Sequence, residues 1–306
     1  LYREYRKRRN ERFTIVLVAF PGHSVVWLAF LLFGRRIVFD AYLSLFDVNI
    51  YDRKRYGAYS VSGIKDRVLD WLGVRLARTV LLDTYAHIKL FQELYGGSDA
   101  TYIRTLIGAD DELFTPRETY PTGDRSVVHF HGNFIPVQGI TYIIDAAAIL
   151  DGENYTIRIV GGGGDFSAVK ARVAEEELRN IELVGSADPE AIPEVIADAD
   201  ICLGIFGDTR KTQNVIFNKV YEYAAMGKPI ITADTPAIRE LFTHGESAHL
   251  VPAADPKALA AAVRTLDRDP ELRSRLAAGA LAVFRKHARP RIIVAKLIND
   301  LAYGAV

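Results

Sequence analysis

An α/β fold of two doubly wound, Rossmann-like domains facing a cleft is what this sequence predicts, the N-terminal one lacking its first βα units. Three observations predict it. Apolar β-branched runs alternate with helical patterns along the chain, as parallel strands covered by helices require. At 306 residues the chain is long enough for two domains rather than one. Between the two series lies a stretch rich in proline, threonine and glycine, Phe114 to Asp124, which reads as a linker.

The first series reads as strands at Phe13–Phe20, Ile37–Asp40, Thr79–Asp83 and Ala100–Leu106, with helices over Ser24–Phe33, Ser62–Arg78 and Thr84–Tyr95. The second reads as strands at Val127–His131, Tyr155–Val160, Ile181–Val184, Ile201–Ile205, Pro229–Ala233 and His249–Val251. Helices fall between them near Gly139–Leu150, Phe166–Leu178, Pro189–Ala197, Asn218–Met226 and Thr235–Phe242. Three more close the chain, at Pro256–Leu266, Glu271–His287 and Pro290–Ala302. Six strands make a complete doubly wound domain, whereas four leave the first one short of its opening units. Domains are expected over 1–118 and 119–288, with 289–306 a helix crossing back to the first. The chain starts at Leu1 and its one methionine is Met226, so a trimmed N-terminus is expected.

Thirty-eight basic and 38 acidic side chains cancel, so no global field draws in nucleic acid. The lone cysteine, Cys202, sits in an apolar run and excludes an internal disulfide; it fits a cytoplasmic, reducing location. The longest apolar run, Ser24 to Phe33, is too short to span a bilayer. It reads as a buried helix or an interfacial one, and with the basic start from Tyr2 to Arg12 it leaves peripheral contact with an inner membrane face open.

Ligands of open α/β sheets bind beyond the carboxyl ends of the strands, so polar oddities there carry weight. In Asn214 to Thr232, Asn218 reads as an N-cap, Gly227 as the residue just past the helix, and Pro229 as a stop. Lys219 and Glu222 fall in the first turn, where free N–H groups suit a phosphate and a carboxylate suits sugar hydroxyls. Gly132, Asn133 and Gln138 follow the first strand of this domain, and Gly161-Gly162-Gly163-Gly164 follow the second as a phosphate nest. Arg210 and Lys211 follow the fourth strand and bring two cations toward the same place. Asp198-Ala199-Asp200 has a metal-binding pattern but lies on the opposite edge, so no metal site is expected. In the first domain His23 and Asp40 end or follow strands and are expected to face a second substrate.

At these residues the chain resembles the family-4, or group 1, glycosyltransferases, a retaining, GT-B-fold group that uses nucleotide-sugar donors. The motifs that carry the resemblance are HGNFIPVQGITYIIDAA, IRIVGGGG, NKVYEYAAMGKPIIT, and TPAIREL followed by HLVPAADPKAL. The family pattern has two carboxylates eight positions apart; Glu222 matches the second, implied to contact the donor's ribose, and Asn214 stands at the first. Asn133 and Gln138 stand where the family has an arginine and a lysine on the diphosphate. Lys219, Arg210 and Lys211 are expected to replace them.

The reading that follows is hexosyl transfer from a nucleotide-diphosphate sugar, without cofactor or metal, to a glycan, lipid-linked or small-molecule acceptor. In it Asp40, His23 and Asn214 are the expected catalytic set. Three rivals stand beside it: a nucleotide-sugar epimerase on the same fold, a non-catalytic nucleotide-sugar-binding partner, and a dinucleotide oxidoreductase built on the glycine turn.

Overall fold

The computed structural model describes residues 3, 6, 11, 13–96, 101–117 and 125–303. Most of the basic start, the beginning of the fourth expected strand at Ala100, and the expected domain boundary at 118–119 lie outside those residues. The chain divides into two compact units, Leu1–Leu106 with Ala295–Val306, and Ile107–Val294. No helix among the described residues is long and apolar enough to cross a membrane.

The first unit holds strands β1 (Val16–Val18), β2 (Ile37–Asp40), β3 (Thr79–Leu82) and β4 (Thr101–Arg104), parallel and in that order. β1 is shorter than the apolar run containing it. As an edge strand it has a ladder only where β2 lies opposite, from Val16 on Ile37 to Val18 on Phe39. Crossover helices Val26–Phe33, Val61–Leu76 and Tyr85–Tyr95 join the strands. Two of these helices begin at side-chain caps, Ser60 accepting from the Gly63 N–H and Thr84 from the His87 N–H. Val26, Ile37, Phe39, Val74, Val80, Leu82 and Phe91 form the main core. A helical turn at Leu45–Asp47, which no periodic pattern announces, is capped by Ser44 Oγ, which in turn donates to Asp70 at 2.7 Å.

Successive strand residues point to opposite faces, so Val38 leaves the Ile37–Phe39 core for the other side. There it joins Leu81 and Ile103, and Leu297 and Leu301 of the closing helix Pro290–Tyr303 pack against them. Truncating both leucines to alanine is expected to destabilise this unit by roughly 2–4 kcal/mol, as lost burial plus a cavity. Urea unfolding checks this, and an unchanged midpoint would show that the helix is not part of this core.

The second unit is a six-stranded parallel sheet of β5 (Ser126–His131), β6 (Tyr155–Val160), β7 (Ile181–Gly185), β8 (Ile201–Leu203), β9 (Ile230–Ala233) and β10 (His249–Val251). Its order, β10-β9-β8-β5-β6-β7, places β5 and β8 side by side at the centre, where the winding reverses. The core here is nearly all aliphatic and joins Val128, Phe130, Ile144, Ile157, Leu203, Ile231 and Leu266. Asp200 of the metal-like pattern holds the backbone instead, its Oδ2 accepting from the Val127 N–H, 2.8 Å away, at the start of β5. That is the edge opposite the strands' carboxyl ends.

Candidate functional site

At the reversal point three loops meet. β5 runs into Gly132, whose φ of +148 takes the chain sharply away, then into the turn Pro136–Gln138 and left-handed Gly139, which opens the Ile140–Ile149 helix. The loop after β8 closes on that turn. The Phe206 N–H donates to the Gln138 carbonyl at 3.1 Å, and a Cβ on Gly139 would lie 2.5 Å from the Gly207 nitrogen. From the other side the glycine run after β6 approaches: the Phe134 N–H donates to the Gly162 carbonyl at 2.8 Å, and a Cβ on Gly161 would lie 2.0 Å from the Gly132 oxygen. Backbone this close to backbone admits only glycine.

Beside these loops stands the Asn218–Ala225 helix. Asn218 is its first helical residue and not the expected cap. Phe217 holds the cap position in an extended conformation and has no side-chain acceptor to offer the free N–H groups. Gly227, with φ of +64, ends the helix as its position implied. The second residue, Lys219, is 4 % exposed. Its ammonium donates to Gln138 Oε1 and lies 3.6 Å from the centroid of the Phe130 ring. A Cβ on Gly132 would sit 2.8 Å from that nitrogen, so the missing side chain is what lets the cation reach the loop. Burial holds the Lys219 pKa well below the usual lysine range, and Glu222 pulls weakly the other way.

Glu222, one turn on, is not free in this state. Its Oε2 lies 2.7 Å from Nε2 of His131, the last residue of β5. A carboxylate only accepts, so His131 carries its proton on Nε2, and Nδ1 accepts from His129 Nε2 at 3.0 Å and from the Tyr223 hydroxyl at 3.2 Å. His129 Nδ1 is left buried with no hydrogen-bond partner. These two histidines and Tyr223 are not among the residues the sequence singled out. The signal was present: residues i and i+2 of a strand share a face, and His131 immediately precedes the glycine at the strand's end.

Burial lowers the pKa of both histidines, that of His129 strongly, although Glu222 acts to raise His131. The unfolded chain binds their protons as pH falls below the ordinary histidine value of about 6.5 and the folded chain does not, so stability is lost on acidification. Each such histidine contributes a slope of about 1.4 kcal/mol per pH unit within its window. His23 and His249 shift in the same direction, so the decisive comparison is differential. Urea titrations between about pH 7.5 and 5 are expected to show a shallower loss in His129→Leu than in the parent chain.

The structure therefore brings together Gly132, Gln138, Gly161, Gly162, Lys219 and Glu222. Asn133 is exposed in its loop. Arg210 and Lys211 do not lie in a loop but open a short helix, Arg210–Asn214, capped by Thr209. Lys211 Nζ lies 5.6 Å from the Phe217 ring centroid, and Asn214 Nδ2 donates to the Arg210 carbonyl at 2.7 Å. In the first unit Asp40 is half-buried at the end of β2, its pKa raised by burial against the Phe20 N–H that bonds it. His23 is a correction. Its ring is 2 % exposed, stacked edge-on against Phe39, with Nε2 donating to the Leu43 carbonyl at 3.1 Å and 3.6 Å from Asp70. A ring so enclosed does not face a substrate.

Two Rossmann-like parallel sheets, with a glycine-lined cationic site where the second reverses, define the GT-B class of α/β proteins. Within it, residues 125–269 match the family described as Glycosyl transferases group 1. Among relatives, a phosphatidyl-myo-inositol mannosyltransferase of Mycobacterium leprae is 29% identical over 193 residues, 62% of this chain and 50% of the relative. An alpha-D-kanosaminyltransferase of Streptomyces kanamyceticus is 27% identical over 167 residues, 54% of this chain and 42% of the relative. The chain thus spans about half the length of the relatives it matches. Among solved structures, HepE of Anabaena in complex with UDP superposes with a TM-score of 0.76 at 16% identity, covering 98% of this chain and 81% of that one. Sucrose-phosphate synthase of Thermosynechococcus elongatus gives 0.78 at 16%, covering 99% and 77%. Both share the fold.

Proposed function

We propose that this protein transfers a hexose-type sugar from a nucleotide-diphosphate donor to an acceptor, with retention of configuration and no bound metal. The observation that carries the reading is Lys219. A buried ammonium whose hydrogen-bond acceptor is a neutral amide, set against a glycine at the reversal point, is a site waiting for an anion. In the reaction the bond between the sugar's anomeric carbon and the diphosphate breaks, charge builds on the leaving oxygen, and Lys219 meets it. The free N–H groups of the helix opened by Asn218 add partial positive charge. Arg210 and Lys211 supply further cationic contacts, and the neutral Asn133 and Gln138 orient rather than neutralise. Glu222 takes the ribose hydroxyls, exchanging His131 for them. The acceptor's hydroxyl oxygen bonds to the anomeric carbon on the face the diphosphate vacates and passes its proton to that diphosphate, and bonding on this face gives retention. Asp40 is the residue assigned to the acceptor, and Asn214 lies near the transferred sugar. HepE is described in complex with UDP-glucose, the donor type proposed here.

The test is a thermal-shift screen against nucleotide sugars, followed by product analysis with and without acceptors. A cognate donor at a hundredfold excess over its Kd adds about 2.7 kcal/mol of stability and stands out from the panel. Product formed only with an acceptor supports transfer; product formed without one is an epimerase result. A second reading, a non-catalytic nucleotide-sugar-binding partner, is favoured by Asn133 and Gln138 standing where the resemblance implies cations. Calorimetric binding without turnover on any acceptor decides for it.

A further inference from the structure

The helix Val61–Leu76 packs Val74 into the main core yet carries a second apolar face outward. Its buried face carries Gly63, Asp66, Asp70, Gly73 and Val74, while Val61, Ile64, Val68 and Trp71 are exposed. Their spacing of three, four and three residues sets them on one stripe. This orientation is secured from within. Asp70 accepts from Ser44, Tyr95 and the N–H groups of Leu45 and Phe46, and Asp66 accepts from Asn49 and Tyr56. A Cβ at Gly73 would lie 2.5 Å from the Phe39 ring, so the helix sits tightly on the sheet. It cannot roll its apolar stripe inward without stripping two carboxylates of their donors. Alongside packs the Val26–Phe33 helix, which exposes Trp27 and Leu31 and bears no charge.

Charge around this face is one-sided. From Phe13 to Arg78 the five acidic residues, Asp40, Asp47, Asp52, Asp66 and Asp70, are all buried or half-buried. The nine basic residues of the same stretch are all exposed; Arg53, Lys54 and Arg55 in the loop before the helix and Lys65, Arg67 and Arg75 on it belong to this face, whereas Arg36 and Arg78 line a hollow with Asp300 and Leu301 of the closing helix. The neighbouring Tyr85–Tyr95 helix adds one exposed charge of each sign, Lys89 and Glu93. In a chain with equal numbers of acids and bases, such a surface is a local construction. We infer that this face docks on an anionic lipid bilayer, the apolar stripe and both tryptophans entering the headgroup boundary while the basic side chains meet the lipid phosphates. An apolar stripe flanked mainly by cations and aromatics is the pattern of an interfacial helix. The inference goes beyond sugar transfer and does not depend on it.

The chain's two tryptophans, Trp27 and Trp71, both lie on this face, so their emission reports docking directly. Adding vesicles of phosphatidylcholine with phosphatidylglycerol to the full chain is expected to shift that emission to the blue and to carry the protein into the vesicle pellet. Salt reverses both, and vesicles of phosphatidylcholine alone do neither. The triple variant Arg53→Gln, Lys54→Gln, Lys65→Gln touches only exposed side chains and is expected to weaken partitioning on the order of 100-fold with an unchanged melt. Val68→Ser with Trp71→Ser is expected to weaken it about tenfold or more. No partitioning, or equal partitioning onto neutral vesicles, overturns the inference. So does a concentration-dependent dimer that Trp71→Ser dissociates, which would make the face an interface between two copies.

Discussion

Lys219→Met is expected to lower kcat by about two to three orders of magnitude while making the unliganded protein more stable. The two effects have one cause. The ammonium is buried, its nitrogen is shared between the Gln138 amide oxygen and the face of Phe130, and no carboxylate among the described residues bonds it. Methionine has nearly the same length without the desolvation penalty, so a gain of roughly 1–3 kcal/mol is expected in urea unfolding. In the transition state of the proposed transfer the same cation meets charge that is still growing on the diphosphate. Its removal therefore costs turnover more than ground-state binding, by about 3–4 kcal/mol. A protonation signature separates this from a merely structural role. With its folded pKa depressed, Lys219 penalises folding below that pKa, and the penalty is relieved as pH rises toward the ordinary lysine value. A bound diphosphate raises the pKa again, so donor binding takes up protons and weakens as pH rises. Calorimetry in buffers of different ionisation enthalpy is expected to show the uptake in the parent chain and its loss in Lys219→Met. Full activity together with unaltered stability in the variant would remove Lys219 from the site.

The sequence already indicated where to look, and the reasons lie in local physics. The Asn218 helix was legible because Gly227 must take a left-handed conformation and Pro229 cannot continue a helix. β6 and β10 were legible to the residue; in β6 the apolar side chains of Tyr155, Ile157 and Ile159 alternate at the period of a strand, and Gly161 ends the run. The Arg210–Asn214 helix was not: five residues are too few for a hydrophobic period, and its one signal is the Thr209 cap. His23 looked like a site residue because it follows a strand end, yet strand ends can also be roofed. Here Leu43 and Asp70 close over it. Least legible was the burial of Lys219. Composition counts a lysine as surface, and only the contact with Gly132 and Gln138, many positions upstream, turns it inward. Long-range packing of this kind leaves no periodic trace.

Glu222 supplies the second large effect, and it should fall on a different kinetic constant. A carboxylate that binds ribose hydroxyls does so equally in the ground and transition states, so its loss is expected in KM rather than kcat. For Glu222→Ala a rise in KM of roughly tenfold to a hundredfold corresponds to one charge-assisted contact of about 1.5–3 kcal/mol. The His131 contact sharpens the test. In the unliganded chain Glu222 already accepts from His131 Nε2 at 2.7 Å, so donor binding must break or share that bond. His131→Phe removes the competitor and leaves the carboxylate free, and it is expected to lower KM where Glu222→Ala raises it. The pair is non-additive by construction: with Glu222 absent, His131→Phe has no competition left to relieve. A double-mutant cycle on KM that closes additively would mean that Glu222 and His131 do not exchange partners when the donor binds. Retained kcat in both single variants, alongside its collapse in Lys219→Met, would separate the group that holds the nucleoside from the group that stabilises the leaving diphosphate.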